Sequence, residues 1–242
     1  MATLIFDIET TGKNWDDIPE STQYSLTKWI GQQPISDTEK ERLSEEAQEK
    51  LGLSPFTGEV VSLAMYDLER KQGVVYFVAD DSVLDYSQDG WKYKVRSEKQ
   101  ILEDFWESAN SYDVFVTFNG RSFDIPFLIH RSIINDVRPS VALVGQRYIT
   151  RQTTPYHVDL LDEFSFYGAM RRRPSLQLLC NSYGIPYAKE GVGGEDITEL
   201  FTHKKFRDIA EKNAADVIAT TELFEKWKVN LAPASFINGV EF

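Results

Sequence analysis

Four carboxylates in this chain stand where an exposed surface does not explain them. Asp7 and Glu9 sit at the end of an apolar run, residues 2–8 (ATLIFDI). A strand of period two puts both side chains on one face. Asp124 follows Asn119-Gly120-Arg121-Ser122-Phe123, where a strand pattern turns into a helical one. Asp216 lies among Ala214, Ala215 and Val217 inside a long amphipathic stretch. Each acid alone has an ordinary explanation: a strand end facing water, a helix cap, a solvated salt bridge. Three distant segments that bring all four to one sheet end instead describe a site for two divalent ions. Two such ions about 3.5–4 Å apart stabilise both the attacking and the leaving oxygen of a phosphodiester displacement. Hard oxygen donors select Mg²⁺ or Mn²⁺ over zinc.

These acids need a sheet to hold them. Residues 2–8 read as a buried strand stopped by Thr10, Thr11 and Gly12. Strands return at 59–67 (EVVSLAMYD) and 73–79 (GVVYFVA), joined as a hairpin by the turn-forming LERKQG. Residues 80–94 read as a loop with room for a second small hairpin. Ser97-Glu98-Lys99-Gln100 opens a helix whose apolar face is Ile101, Leu102, Phe105 and Trp106. A strand at 114–118 (VFVTF) breaks at Asn119-Gly120 and leads to a helix over 125–135. A short strand at 157–161 and a helix at 176–183, closed by Gly184 and Pro186, follow. Residues 190–195 (EGVGGE) read as a flexible loop before a C-terminal helix over 205–227. Residues 13–57 differ from the rest. They are polar and charged, with one helix at 36–51 capped at Ser36 and carrying Leu43, Ala47 and Leu51 on one face. They read as an insertion beside the first strand. The order predicts an α/β fold, one mixed sheet flanked by helices, as a single domain over 1–242.

Composition narrows the partners. The net charge of −12 argues against a protein that coats nucleic acid by bulk charge, and leaves room for a short basic groove. The single cysteine, Cys180, excludes an intrachain disulfide and a zinc site built on paired cysteines. No apolar run approaches a membrane span, and the N-terminus lacks the basic start of a signal peptide. The expectation is a cytoplasmic protein with no membrane partner.

Three segments carry a family resemblance. Phe6-Asp7-Ile8-Glu9-Thr10 resembles the first motif of the DEDD 3′–5′ exonuclease superfamily, whose fold is ribonuclease H-like. Asn119 to Asp124 resembles its second motif, Asn-x-x-x-Phe/Tyr-Asp, and Lys212 to Val217 its third. His157-Val158-Asp159-Leu160 and Ser175-Leu176 resemble intermediate segments of the branch related to family B polymerase proofreading domains. The resemblance covers nearly all of the chain outside 13–57. It implies a ribonuclease H-like fold, with Asp7, Glu9, Asp124 and Asp216 as ligands of two Mg²⁺ or Mn²⁺ ions.

One position departs from the pattern. The tyrosine subclass has Tyr four residues before the last Asp, where this chain has Lys212; Glu211 stands where the histidine subclass has His. Lys212 and Asp216 share a helix face, so the ammonium reaches the metal side. With three donors and no acceptor it can orient an oxygen or neutralise phosphate, but takes no proton from water. The alternative is that it pairs with a nearby acid and lowers activity. Tyr167 and Tyr183 are candidates for the missing hydroxyl, and Asp159 reads as a helix cap or support.

A substrate groove is expected at Arg171-Arg172-Arg173, with Arg147, Arg151 and Lys189 around it and Tyr148, Phe164, Phe166 and Tyr167 interleaved. Thr10, Asn119, Arg121 and Phe123, within the motifs, are further candidate contacts. The function expected is a metal-dependent 3′–5′ exonuclease acting on 3′ ends of single-stranded DNA or RNA, with DNA ahead. The rivals are an exoribonuclease or small-nucleotide hydrolase on the same site, and a degenerate module that binds nucleic acid or protein without cleaving.

Overall fold

The computed structural model describes residues 1–143, 154–187, 197–233 and 236. Strand β1 (Thr3–Gly12) runs through the interior. Its alternation sends Leu4, Phe6 and Ile8 into one core and Ile5 into the other, so Asp7 and Glu9 follow Ile5. Against β1 pair β2 (Gly58–Asp67), antiparallel, and β6 (Val114–Thr117), parallel. With β3 (Gln72–Phe77), β4 (Tyr86–Gln88), β5 (Trp91–Val95) and β7 (Tyr156–Asp159) they form one mixed sheet of order β4-β5-β3-β2-β1-β6-β7.

Helices cover both faces. On the Leu4 side lie α3 (Glu98–Ala109) and α4 (Asp124–Ile134). A complete capping box between Ser97 and Gln100 starts α3. On the Ile5 side lie α5 (Leu160–Phe164), α6 (Leu176–Tyr183) and the 25-residue α8 (Phe206–Asn230). The insertion holds α1 (Glu20–Gly31) and α2 (Asp37–Glu49), and α7 (Ile197–Thr202) precedes α8. Among the described residues no helix is long and apolar enough to cross a membrane.

Three differences from the sequence reading have physical causes. Thr10, Thr11 and Gly12 do not stop the first strand; they continue it against Val60, Glu59 and Gly58. Helix α1 has no strong apolar period, since Ile30 is its one buried residue. Helices α5 and α7 are too short for periodicity to reveal. The second hairpin does form: Asp89 and Gly90, both at positive φ, turn β4 into β5. The loop at 190–195 lies outside the described residues.

Two features fix the end of β1. A bulge between Glu9 and Thr10 lets Val61 of β2 leave the ladder and pack with Leu200 and Ile209. Behind it, the buried Arg131 clamps Glu98 through Nε at 2.8 Å and Nη2 at 2.6 Å, and reaches the carbonyl of Pro55 at 3.2 Å. Glu98 in turn accepts the N–H of Val60 at 2.8 Å. One ion pair thereby ties α3, α4 and the end of the insertion to β2.

Candidate active site

Strand β1 overruns its neighbour β6, whose pairing with it covers Thr3–Ile5. Past that point the turn at 119–123 takes over. Asp124, the first residue of α4, accepts the backbone N–H of Ile8 at 3.1 Å and is 3% exposed. It therefore does not act as the N-cap that its position suggested; it closes the open edge of β1. The turn needs its glycine, because a Cβ on Gly120 would lie 2.4 Å from Oγ1 of Thr117. Asn119 takes a left-handed φ of 67°, which Asn tolerates. Asp159, at the end of β7, accepts the N–H groups of Asn119 and Arg121, both at 2.9 Å, and of Leu161 at 3.0 Å. It caps α5 and pins the turn that carries Asp124.

The remaining acids meet across β1 and α8. One carboxylate oxygen each from Asp7, Glu9 and Asp216 lies within 4.8 Å of the others. Asp124 is outside that trio, yet its charge acts on Asp7. Lys212, one turn before Asp216, donates to Oε1 of Glu9 at 2.6 Å and to Oδ2 of Asp216 at 2.8 Å. Asn213 donates to Oδ2 of Asp7 at 2.7 Å and accepts from the Ser62 hydroxyl at 2.8 Å. Asn213 thereby ties α8 to β2 and orients an acid of β1.

Tyr187 is the residue that sequence reasoning missed. Its hydroxyl donates to Oδ1 of Asp216 at 2.5 Å. It stands 29 residues before Asp216, outside any motif spacing, so nothing in the sequence marks it. Tyr167 bonds Glu163 instead, and Tyr183 packs against Phe164.

The charges are unbalanced. Burial raises Asp7 well above the ordinary carboxylate range, and the charges of Asp124, Glu9 and Asp216 raise it further, against Lys212. Burial likewise pushes Asp124 up to about 7, although the Ile8 N–H works the other way. Burial opposes the Lys212 ammonium, but Glu9 and Asp216 outweigh it and hold its pKa above the usual lysine range. Four acids against one ammonium leave excess negative charge, three of the acids being buried. A donor set made of carboxylate oxygens fits a hard divalent cation such as Mg²⁺ or Mn²⁺.

The other expected contacts fall into two groups. Thr10 is buried and gives its hydroxyl to the carbonyl of Gly52 at 2.7 Å, so that bond ties the insertion to β1. Phe123 packs on Phe127, with ring centroids 5.5 Å apart. Arg171 and Arg172 are exposed and form no ion pair among the described residues, whereas Arg173 pairs with Asp162 at 3.3 Å. Phe166 and Tyr167, also exposed, both hold positive φ, a costly backbone for aromatic residues. The charge of Arg121 is felt at Tyr167 and at His157, which links this surface to the turn of Asp124. Arg147, Tyr148, Arg151 and Lys189 lie outside the described residues.

Comparison with known proteins adds to this geometry. A family described as predicted 3′–5′ exonucleases related to the exonuclease domain of PolB matches residues 73–235. The match takes in Asp124, Lys212 and Asp216 and begins after β1. DNA polymerase 1 of Sulfolobus acidocaldarius is 26% identical over 233 residues, which cover 90% of this chain and 26% of that protein. The structure of the family B DNA polymerase from the hyperthermophilic archaeon Pyrobaculum calidifontis is similar with a TM-score of 0.54 at 17% identity, covering 93% of this chain and 24% of that one. The chain spans about a quarter of the length of each. The mixed seven-stranded sheet with flanking helices is thus the ribonuclease H-like fold expected from the motifs.

Proposed function

Because the chain belongs to the family of predicted 3′–5′ exonucleases related to the exonuclease domain of PolB, we propose that it hydrolyses terminal phosphodiester bonds at the 3′ ends of single-stranded nucleic acid. The observation that carries this reading is the convergence of Asp7, Glu9 and Asp216 within 4.8 Å, beside the buried Asp124. DNA is the favoured substrate, since the relatives bear the name of DNA polymerases.

Bound divalent cations, Mg²⁺ or Mn²⁺, supply the positive charge that makes water a nucleophile and stabilises the leaving oxygen, as in two-metal phosphodiester hydrolysis. The chain's own residues do the rest. Asp7, Glu9, Asp124 and Asp216 hold the cations. Asn213 orients Asp7, and Tyr187 orients Asp216. Asp159 keeps the turn of Asp124 in place through two backbone bonds, from Asn119 and Arg121. Arg171 and Arg172 meet the phosphates of a single strand, and Phe166 and Tyr167 offer faces for its bases. Water adds its oxygen to the terminal phosphorus, the bond to the penultimate 3′ oxygen breaks, that oxygen takes a proton, and a nucleoside monophosphate leaves.

The test is digestion of 5′-labelled DNA and RNA strands and of dinucleotides, with Mn²⁺ and in EDTA. Shortening from the 3′ end that needs the metal supports the reading; cleavage of dinucleotides alone moves it to small nucleotides. One observation favours a non-cleaving module, the Lys212 ammonium on Glu9 and Asp216. Such a module has no need to bind Mn²⁺, and a metal titration separates the two.

A further inference from the structure

Lys212 divides the carboxylate centre into two unlike halves. Its Nζ lies 2.6 Å from Oε1 of Glu9 and 2.8 Å from Oδ2 of Asp216. Asp7 and Asp124 make no ion pair among the described residues. The lysine is well held. It shares a face of α8 with Asp216, and its side chain is only 21% exposed. A Mg²⁺-sized ion needs carboxylate oxygens at about 2.0–2.1 Å in near-octahedral array. An ion on the two oxygens toward which the ammonium donates would face that positive charge at close range, so the ammonium and the ion compete for the place. The second oxygen of Asp216 is engaged too, by the Tyr187 hydroxyl at 2.5 Å.

We propose that the Lys212 ammonium occupies one of the two cation places of the centre, so that the free protein binds one divalent ion, on the side of Asp7 and Asp124, and carries its second positive charge built in. This rests on the metal-dependent exonuclease reading and refines it. Four carboxylate charges are met by three positive ones, against four in a centre with two divalent ions. The lysine at the tyrosine position is then a positioning residue for the metal complement.

The experiment counts ions. Mn²⁺ is titrated into the full chain by calorimetry, with the electron paramagnetic resonance signal of free Mn²⁺ as a second count. Wild type is run beside Lys212→Met, Lys212→Gln and Lys212→Arg, each with a thermal melt to establish folding. The expected result is one ion in wild type and in Lys212→Arg, and two in the uncharged variants. Two ions in wild type overturn the proposal, whatever the variants do. One ion in every folded variant also overturns it, because the lysine is then not what excludes the second. No Mn²⁺ binding in any of them is a different failure, and it removes the metal-dependent reading itself.

Discussion

Asp124 accepts the backbone N–H of Ile8 at 3.1 Å, so the start of α4 is bonded to the strand that carries Asp7 and Glu9. One side chain closes the edge of β1 and brings a fourth carboxylate beside the other three. The cost is electrostatic. The group is buried, its pKa is pushed up to about 7, and Asp7 beside it is raised as well. A divalent ion bound there would offset that cost, so the proposed metal binding predicts a link between metal and stability.

The first prediction concerns metal-free protein. The pKa of Asp124 is about 7 when folded against 3.8 ordinarily, so the folded chain holds a proton there that the unfolded chain releases. Its contribution to stability is full below about pH 4 and is lost as pH rises through about 7. Asp124→Asn keeps an acceptor for Ile8 and carries no charge. In EDTA at pH 8 it should be more stable than wild type by about 2–4 kcal/mol, as measured by urea unfolding. With saturating Mn²⁺ the order should reverse.

His157 gives the opposite slope. It is buried, and burial first, with the charge of Arg121 second, lowers its pKa to about 3 from 6.5. The unfolded chain therefore takes up a proton that the folded chain refuses. The stabilising contribution is full above about pH 6.5 and is lost on acidification toward pH 3. The Asp124 and His157 slopes oppose each other between about pH 4 and 6.5. His157→Gln should uncover the falling slope of Asp124, and Asp124→Asn the rising slope of His157. Melting temperatures of both variants across that window check the sign.

Asp159→Ala removes the acceptor shared by Asn119, Arg121 and Leu161. Stranding those N–H groups should cost about 3 kcal/mol. It should also lower 3′–5′ cleavage at least tenfold in protein that remains folded, because the turn of Asp124 loses its anchor. Urea unfolding and a single-turnover rate measure the two effects separately.

Arg131→Met breaks the buried pair with Glu98 and leaves that acid uncompensated. The expected loss is about 3–5 kcal/mol. Limited proteolysis should find new cuts near residues 55–60, the segment that Arg131 and Glu98 hold through Pro55 and Val60. Cuts confined to the termini would contradict that role.

Much of this was legible in the sequence. Alternation placed Asp7 and Glu9 on one face, and the strand-to-helix break at Asn119-Gly120 located Asp124. The i,i+4 spacing put Lys212 beside Asp216, though only the structure gave it two acid partners at once. What escaped depends on contacts between distant segments. Tyr187 reaches Asp216 from beyond α6, and no local pattern encodes that meeting. Thr10 sits in a motif but spends its hydroxyl on Gly52, across the insertion. Helix α1 buries so little apolar surface that periodicity had nothing to register.

The most direct test of the central claim is a gel time course on 5′-labelled single-stranded DNA with Mn²⁺, wild type beside Asp7→Ala and Asp216→Ala. The account predicts a ladder shortening from the 3′ end in wild type, absent in EDTA, and slowed at least a hundredfold in either variant while both remain folded. An undiminished ladder in folded Asp7→Ala and Asp216→Ala would contradict it, and so would the lack of any ladder from wild type on DNA and RNA alike.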